Sequence, residues 1–113
     1  MTNSISAIFL FAVLLGSVSA LAAGGKITIS TPMDGAMIAA GEKIKLSYEA
    51  SPGQGDDHLH FNVDGERSDI LRQLKGTVEV DGLTPGKHQL CLLMNTKGHV
   101  PTGTESCINV EAK

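Results

Sequence analysis

From Lys43 to Glu49 the chain alternates without a break, with Ile44, Leu46 and Tyr48 on one side and Lys43, Lys45, Ser47 and Glu49 on the other. A period of two belongs to a strand buried on one face, whereas an amphipathic helix repeats its apolar residues at three and four. The same alternation returns in Lys26–Ser30, in His58–Val63, in Gly76–Val80, up to Met94 and in Glu105–Glu111. Between these runs stand Gly, Pro and Asp clusters such as Thr31-Pro32-Met33-Asp34-Gly35, Ala50 to Asp57 and Asp81 to His88. Pro fixes φ and Gly tolerates φ > 0, so these clusters are turns with a mechanism. No stretch carries a sustained helical period. About seven short strands at intervals of roughly 8–12 residues predict an all-β, immunoglobulin or fibronectin-III-like antiparallel sandwich. Ser68–Gln73 is ambiguous between a short edge strand and a helical turn.

Every charged side chain lies at or after Lys26, behind the apolar stretch Ile5–Val18 and the small residues Ser19-Ala20-Leu21-Ala22-Ala23. This is the layout of a secretory signal, cut after Ala20 or Ala22. The apolar run is shorter than the ~20 residues a spanning helix needs. The expected organisation is a signal peptide over 1–22 and a sandwich domain over 23–113, periplasmic or secreted, with no membrane span after cleavage. A mature chain of about 90 residues is small enough for extra staples to be common.

The chain has 113 residues, with nine Lys and Arg against twelve Asp and Glu, and no Trp. That length excludes barrels and two-domain nucleotide enzymes. A formal charge of -3 offers no basic stripe for nucleic acid. With Phe61 and Tyr48 the sole aromatics after Phe11, the stacking platforms of sugar and single-strand binders are missing as well. No Gly-x-Ser-x-Gly elbow, phosphate loop or CxxC occurs, so no catalytic residue is assigned and the protein is read as a non-enzyme.

Cys91 and Cys107 are the only cysteines. Turning Leu90, Leu92, Met94 and Ile108, Val110 inward puts both thiols on the outer face of adjacent antiparallel strands. A hairpin closed near Thr96–Gly103 sets them opposite each other, as a disulfide across a non-hydrogen-bonded pair. Such a bridge contributes about 3 kcal/mol in the chain-entropy model.

His58 and His60 share one face of their strand, directly after the loop that carries Asp56 and Asp57. In an immunoglobulin-like sandwich that loop and the one holding His99 lie at the same end. His58, His60, His99 and Asp57 therefore form a candidate copper or zinc set, imidazole being a ligand for both, with Met94 a soft addition for Cu(I). The competing reading is a solvated polar face of surface histidines, in which case no cofactor is present. His88, at the opposite end, caps the core by bonding loop backbone. Met33 and Met37 read as gap-filling core or rim residues.

The pattern Asp57-His58-Leu59-His60-Phe61-x-Val63-Asp64-Gly65, then Gly82-Leu83-Thr84-Pro85-Gly86-Lys87-His88-Gln89-Leu90, then Gly98-His99-Val100-Pro101 resembles a family of small exported bacterial immunoglobulin-like domains of uncharacterised function. Their Pro-x-Asp-Gly-Ala turn stands here as Pro32-Met33-Asp34-Gly35-Ala36. The resemblance covers the mature chain and implies fold and export, with no chemistry attached. The Cys91/Cys107 pair and the shorter connections around His58–Val63 depart from longer members. Gly82–His88 also looks like a loop of copper–zinc superoxide dismutases, but the strand after it carries Gln89-Leu90-Cys91-Leu92 where that family has its His-x-His pair. The expected function is a non-catalytic envelope domain with an envelope protein as partner, the alternative being a periplasmic copper or zinc binder.

Overall fold

The computed structural model describes residues 24–113. The expected signal segment lies outside the described residues. Eight strands follow one another: β1 Lys26–Thr31, β2 Ala36–Ile38, β3 Ile44–Ser51, β4 His58–Val63, β5 Glu66–Leu71, β6 Lys75–Val80, β7 Gly86–Asn95 and β8 Pro101–Ala112. They form a three-stranded sheet, β1-β3-β6, and a five-stranded sheet, β2-β8-β7-β4-β5. This is the two-layer β-sandwich that the alternation predicts, with one strand more.

The extra strand is β2, whose three residues are too few to register as alternation. Asp34 Oδ1 accepts the Asn109 amide at 2.8 Å and Gly35 donates its amide to the Asn109 carbonyl at 2.7 Å, which swings the chain from the small sheet to the large one. There β2 pairs parallel with β8, Ala36 opposite Val110. Met33 and Met37 do not fill the core: they stand 75% and 58% exposed. The ambiguous segment after Asp64-Gly65 is the edge strand β5, paired with β4.

The period of two decides what meets between the sheets. Ile44, Leu46, Tyr48 and Ala50 of β3 are buried and interleave with Val78 and Val80 of β6, Leu46 lying opposite Val78. From the large sheet come Leu59 and Phe61, then Leu90, Leu92 and Met94, then Ile108, Val110 and Ala112. Each large apolar side chain removed from water contributes about 1.5–3 kcal/mol. Tyr48 keeps its hydroxyl satisfied by donating to the Gln73 carbonyl at 2.8 Å.

Cys91 and Cys107 are register partners on β7 and β8, bridged with a Cα separation of 4.1 Å. That is near the short spacing of a non-hydrogen-bonded antiparallel pair. The bridge lies on the outer face of the large sheet, since the flanking Leu90, Leu92 and Ile108 point inward.

Candidate metal site

The antiparallel pairing of β4 with β7 sets His58 opposite Asn95 and His60 opposite Leu93. The start of β4 and the end of β7 therefore share one end of the sandwich, and the turn after Asn95 has to pass over the first residues of β4. Thr96 shapes that turn: its amide donates to the Val100 carbonyl at 2.8 Å, its carbonyl accepts from His99 N at 2.9 Å, and its hydroxyl accepts from Val100 N at 3.2 Å. His99 is held there at φ 67°, in the left-handed region. That conformation costs a side-chain-bearing residue about 1 kcal/mol. It turns the imidazole back onto the sheet.

The result is a triangle of nitrogens. His58 Nε2 lies 3.1 Å from His60 Nε2, His58 Nε2 lies 3.1 Å from His99 Nδ1, and His60 Nε2 lies 3.1 Å from His99 Nδ1. His58 is 1% and His60 9% exposed, while His99 is open to solvent. The two β4 histidines are thus not the solvated polar face that strand alternation alone would give. They sit beneath the turn that carries the third.

Hydrogen bonding alone satisfies such a triangle poorly. A ring N–H can point at one neighbour, and the remaining lone pairs then face each other. A cation at the centre relieves all three. Tetrahedral zinc with Zn–N bonds of about 2.0 Å separates its ligands by about 3.3 Å, whereas a square-planar site has trans ligands about 4 Å apart. Three equal edges of 3.1 Å exclude a trans pair and suit three ligands on one face of a tetrahedron or an octahedron, with at least one vertex left over.

Asp57 stands behind this triangle and not in it. Its Oδ2 accepts from His58 Nδ1 at 2.9 Å, which fixes the His58 proton on Nδ1 and leaves Nε2 with a free lone pair. The same bond holds the Asp57 carboxyl below its ordinary range against a smaller opposing effect of burial, and the charges of Lys97 and Arg72 add to it. His60 is held below the ordinary imidazole range chiefly by burial, and the charges of Arg67 and Arg72 add to this. A neutral His60 is what a metal ligand has to be.

Of the sequence-derived set, His58, His60 and His99 come together, and no fourth His, Cys, Asp or Glu joins them among the described residues. Met94 is fully buried in the core and lies apart from them. Asp56 is occupied in bracing the neighbouring loop, accepting from Gly53 N at 2.8 Å and from the Thr102 hydroxyl. Three neighbours escaped sequence reasoning. Arg72 Nη1 lies 3.9 Å from Asp57 Oδ2. Asn95, 1% exposed, donates its side-chain amide to the Leu93 carbonyl and keeps a buried Oδ1 without a partner. Arg67, opposite Asn62, flanks the histidines on the edge strand. No motif announces them, because β5 and the end of β7 reach the site only through strand pairing.

His88 takes no part. At the other end of the sandwich its Nδ1 meets Asp64 Oδ2 at 2.6 Å and its Nε2 meets the Thr84 carbonyl at 2.7 Å. Bonding to the loop backbone is as expected for this residue.

No protein-family model and no curated protein matches the chain. Among solved structures it is similar to fibronectin(III)-like modules of Clostridium thermocellum CbhA, at 18% identity and TM-score 0.64, over 77% of this chain and 96% of that one. It also aligns with a Jonesia denitrificans lytic polysaccharide monooxygenase, at 17% identity and TM-score 0.48, over 74% of this chain and 61% of that one. The fold is fibronectin-III-like. At these identities the likeness extends to the fold alone.

Proposed function

We propose that this protein is an exported, non-catalytic β-sandwich domain that binds one divalent transition-metal ion through His58 Nε2, His60 Nε2 and His99 Nδ1. The observation that carries the proposal is the equilateral nitrogen triangle, 3.1 Å on each edge, built from two buried strand residues and a turn residue in a strained backbone conformation. Strain of this kind at a non-glycine residue is typical of ligand clamps. Asp57 gives the set the carboxylate–histidine pairing that orients metal-bound imidazoles. An all-nitrogen donor set with no two nitrogens trans favours zinc over the tetragonal sites of Cu(II). Both cysteines are consumed in the disulfide, so neither competes as a thiolate ligand.

Export is supported by that disulfide, which persists in oxidising compartments, and by the signal-like residues 1–22. The three-part motif resemblance to small exported bacterial domains points the same way, with an envelope protein as partner. The absence of a nucleophile motif in the sequence supports a binding role.

The test is titration of chelator-stripped protein with Zn(II), followed by native mass spectrometry. A one-to-one adduct is expected. His99→Ala, at an exposed position that leaves the core untouched, should weaken zinc by more than the roughly 10–100-fold that loss of an outer partner costs. Wild-type protein that takes up no zinc or copper at micromolar concentration, or a His99→Ala variant that binds as tightly, refutes the proposal.

A further inference from the structure

The three histidine nitrogens leave at least one vertex of a bound ion open. Asn95 is the register partner of His58, so the two side chains rise from the same face of the sheet with Cβ atoms about 5 Å apart. It is 1% exposed and directly precedes the turn that carries His99. Its Nδ2 donates to the Leu93 carbonyl at 3.1 Å, and Leu93 is the register partner of His60. The carboxamide therefore lies along the stretch of β7 that faces both β4 histidines. That bond also fixes which way the amide is turned, since the opposite orientation would set Oδ1 against a carbonyl oxygen. The atom left over is an oxygen, and Asn95 Oδ1 is buried with no donor to meet it.

A buried acceptor without a partner carries its desolvation cost with no return, and native proteins hold few of them. The N–H groups nearest in the chain and the fold are committed: His58 Nδ1 to Asp57, His99 N to the Thr96 carbonyl and Val100 N to the Thr96 hydroxyl. A cation held by three imidazoles is a partner that this oxygen can take without a proton, as carboxylate oxygens do in zinc sites. Asn62 Oδ1 is also buried and unpartnered. Asn62 lies opposite Cys91 and Arg67, however, on the far side of His60 from His58 and the His99 turn.

We propose that Asn95 Oδ1 is the oxygen ligand that joins His58, His60 and His99 on the ion. This rests on the metal-binding reading above. All four donors are neutral, and an oxygen among them favours a divalent ion over Cu(I), which takes thiolate and thioether sulfur.

Chelator-stripped full-length protein is titrated with Zn(II) against a chromophoric competitor, and a parallel sample is loaded with Co(II) for its visible spectrum. Asn95→Leu, which fills the space without an oxygen, should bind Zn(II) more than about tenfold more weakly, beyond the least that an outer partner contributes. Asn95→Asp keeps an oxygen in place and adds charge. It should bind at least as tightly as wild type, with shifted Co(II) bands because the ligand itself has changed. Asn95→Ala replaces Asn95→Leu should circular dichroism show that the larger side chain prevents folding. Asn95→Leu and Asn95→Asp both lose the bond to the Leu93 carbonyl, so a purely structural role weakens both alike, and that result overturns the proposal. Co(II) bands that coincide in wild type and Asn95→Asp overturn it too, as does Asn95→Leu binding within about twofold of wild type. Each of these leaves the three-histidine site intact, whereas wild-type protein that binds neither ion removes the metal reading and this one with it.

Discussion

Replacing Asp57 by Ala removes the acceptor that holds the His58 proton on Nδ1 at 2.9 Å. Without it the buried ring can place its proton on Nε2, the atom that faces His60 and His99, and each metal-binding event then has to expel it. Loss of such an outer partner typically costs 10–100-fold in metal affinity. Here the side chain of Asp57 is 31% exposed, so solvent already screens part of its charge, and the lower end of that range, about tenfold, is expected. Asp57→Asn keeps an oxygen that can accept from Nδ1 but loses the charge, so it should fall between wild type and Asp57→Ala. The assay is competition for Zn(II) against a chromophoric chelator at pH 7.5, with far-ultraviolet circular dichroism as the check on folding. Arg72→Gln serves as a control for the salt bridge that is lost along with the carboxylate. A folded Asp57→Ala variant whose affinity stays within twofold of wild type refutes the tautomer argument. So does an Asp57→Asn variant weaker than Asp57→Ala.

Three further outcomes follow from the fold. Cys91→Ser/Cys107→Ser opens a bridge of sequence separation 16 and should lower unfolding free energy by about 3 kcal/mol in urea melts; a loss below about 1 kcal/mol would count against the stapled hairpin. Gly82→Ala would set a Cβ 2.5 Å from the backbone C and O of Gly41, which no side-chain rotation can relieve, and should cost about 2 kcal/mol. Gly98→Ala, whose nearest neighbour is the Thr96 hydroxyl at 3.8 Å, is the control and should stay within about 0.5 kcal/mol. For His88, the bonds to Asp64 and to the Thr84 carbonyl raise its pKa in the folded state. Its contribution to stability is then complete below the unfolded value of about 6.5 and is lost as pH rises through the folded one. Asp64, lowered by the bonds from Gln89 N and His88, contributes above about pH 4 and loses that contribution as pH falls through its folded value. The stability gap between wild type and His88→Gln should therefore be widest near pH 5–6 and narrower at pH 8, and a gap independent of pH would refute the pairing.

Several features could be read directly from residue order. The alternation in Lys43–Glu49 and His58–Val63 dictates two-faced strands wherever a core exists to bury one side, which is why Leu46, Leu59 and Phe61 are buried as the period requires. The cysteine pairing follows from the same phase, since the apolar residues between Leu90 and Val110 leave only one face for Cys91 and Cys107. His58 and His60 on one face are likewise a matter of period. What alternation does not encode is depth. It sets which side of a strand a residue occupies, and it is silent on what lies above that side. Burial of His58 and His60 depends on a turn forty residues away in sequence, brought over them by the β4–β7 register and held by Thr96. The three-residue β2 owes its existence to bonds from Asp34 and Gly35 to Asn109, which no local pattern announces. The role of Asp57 divides in the same way. Its neighbourhood to His58 is visible in the sequence, but whether it binds metal or steadies a ligand depends on which ring nitrogen turns toward the other histidines. Periodicity is a local property of the backbone, so the chain alone fixes strands and faces; a site made from two strand residues and a distant turn exists only once pairing has brought them together.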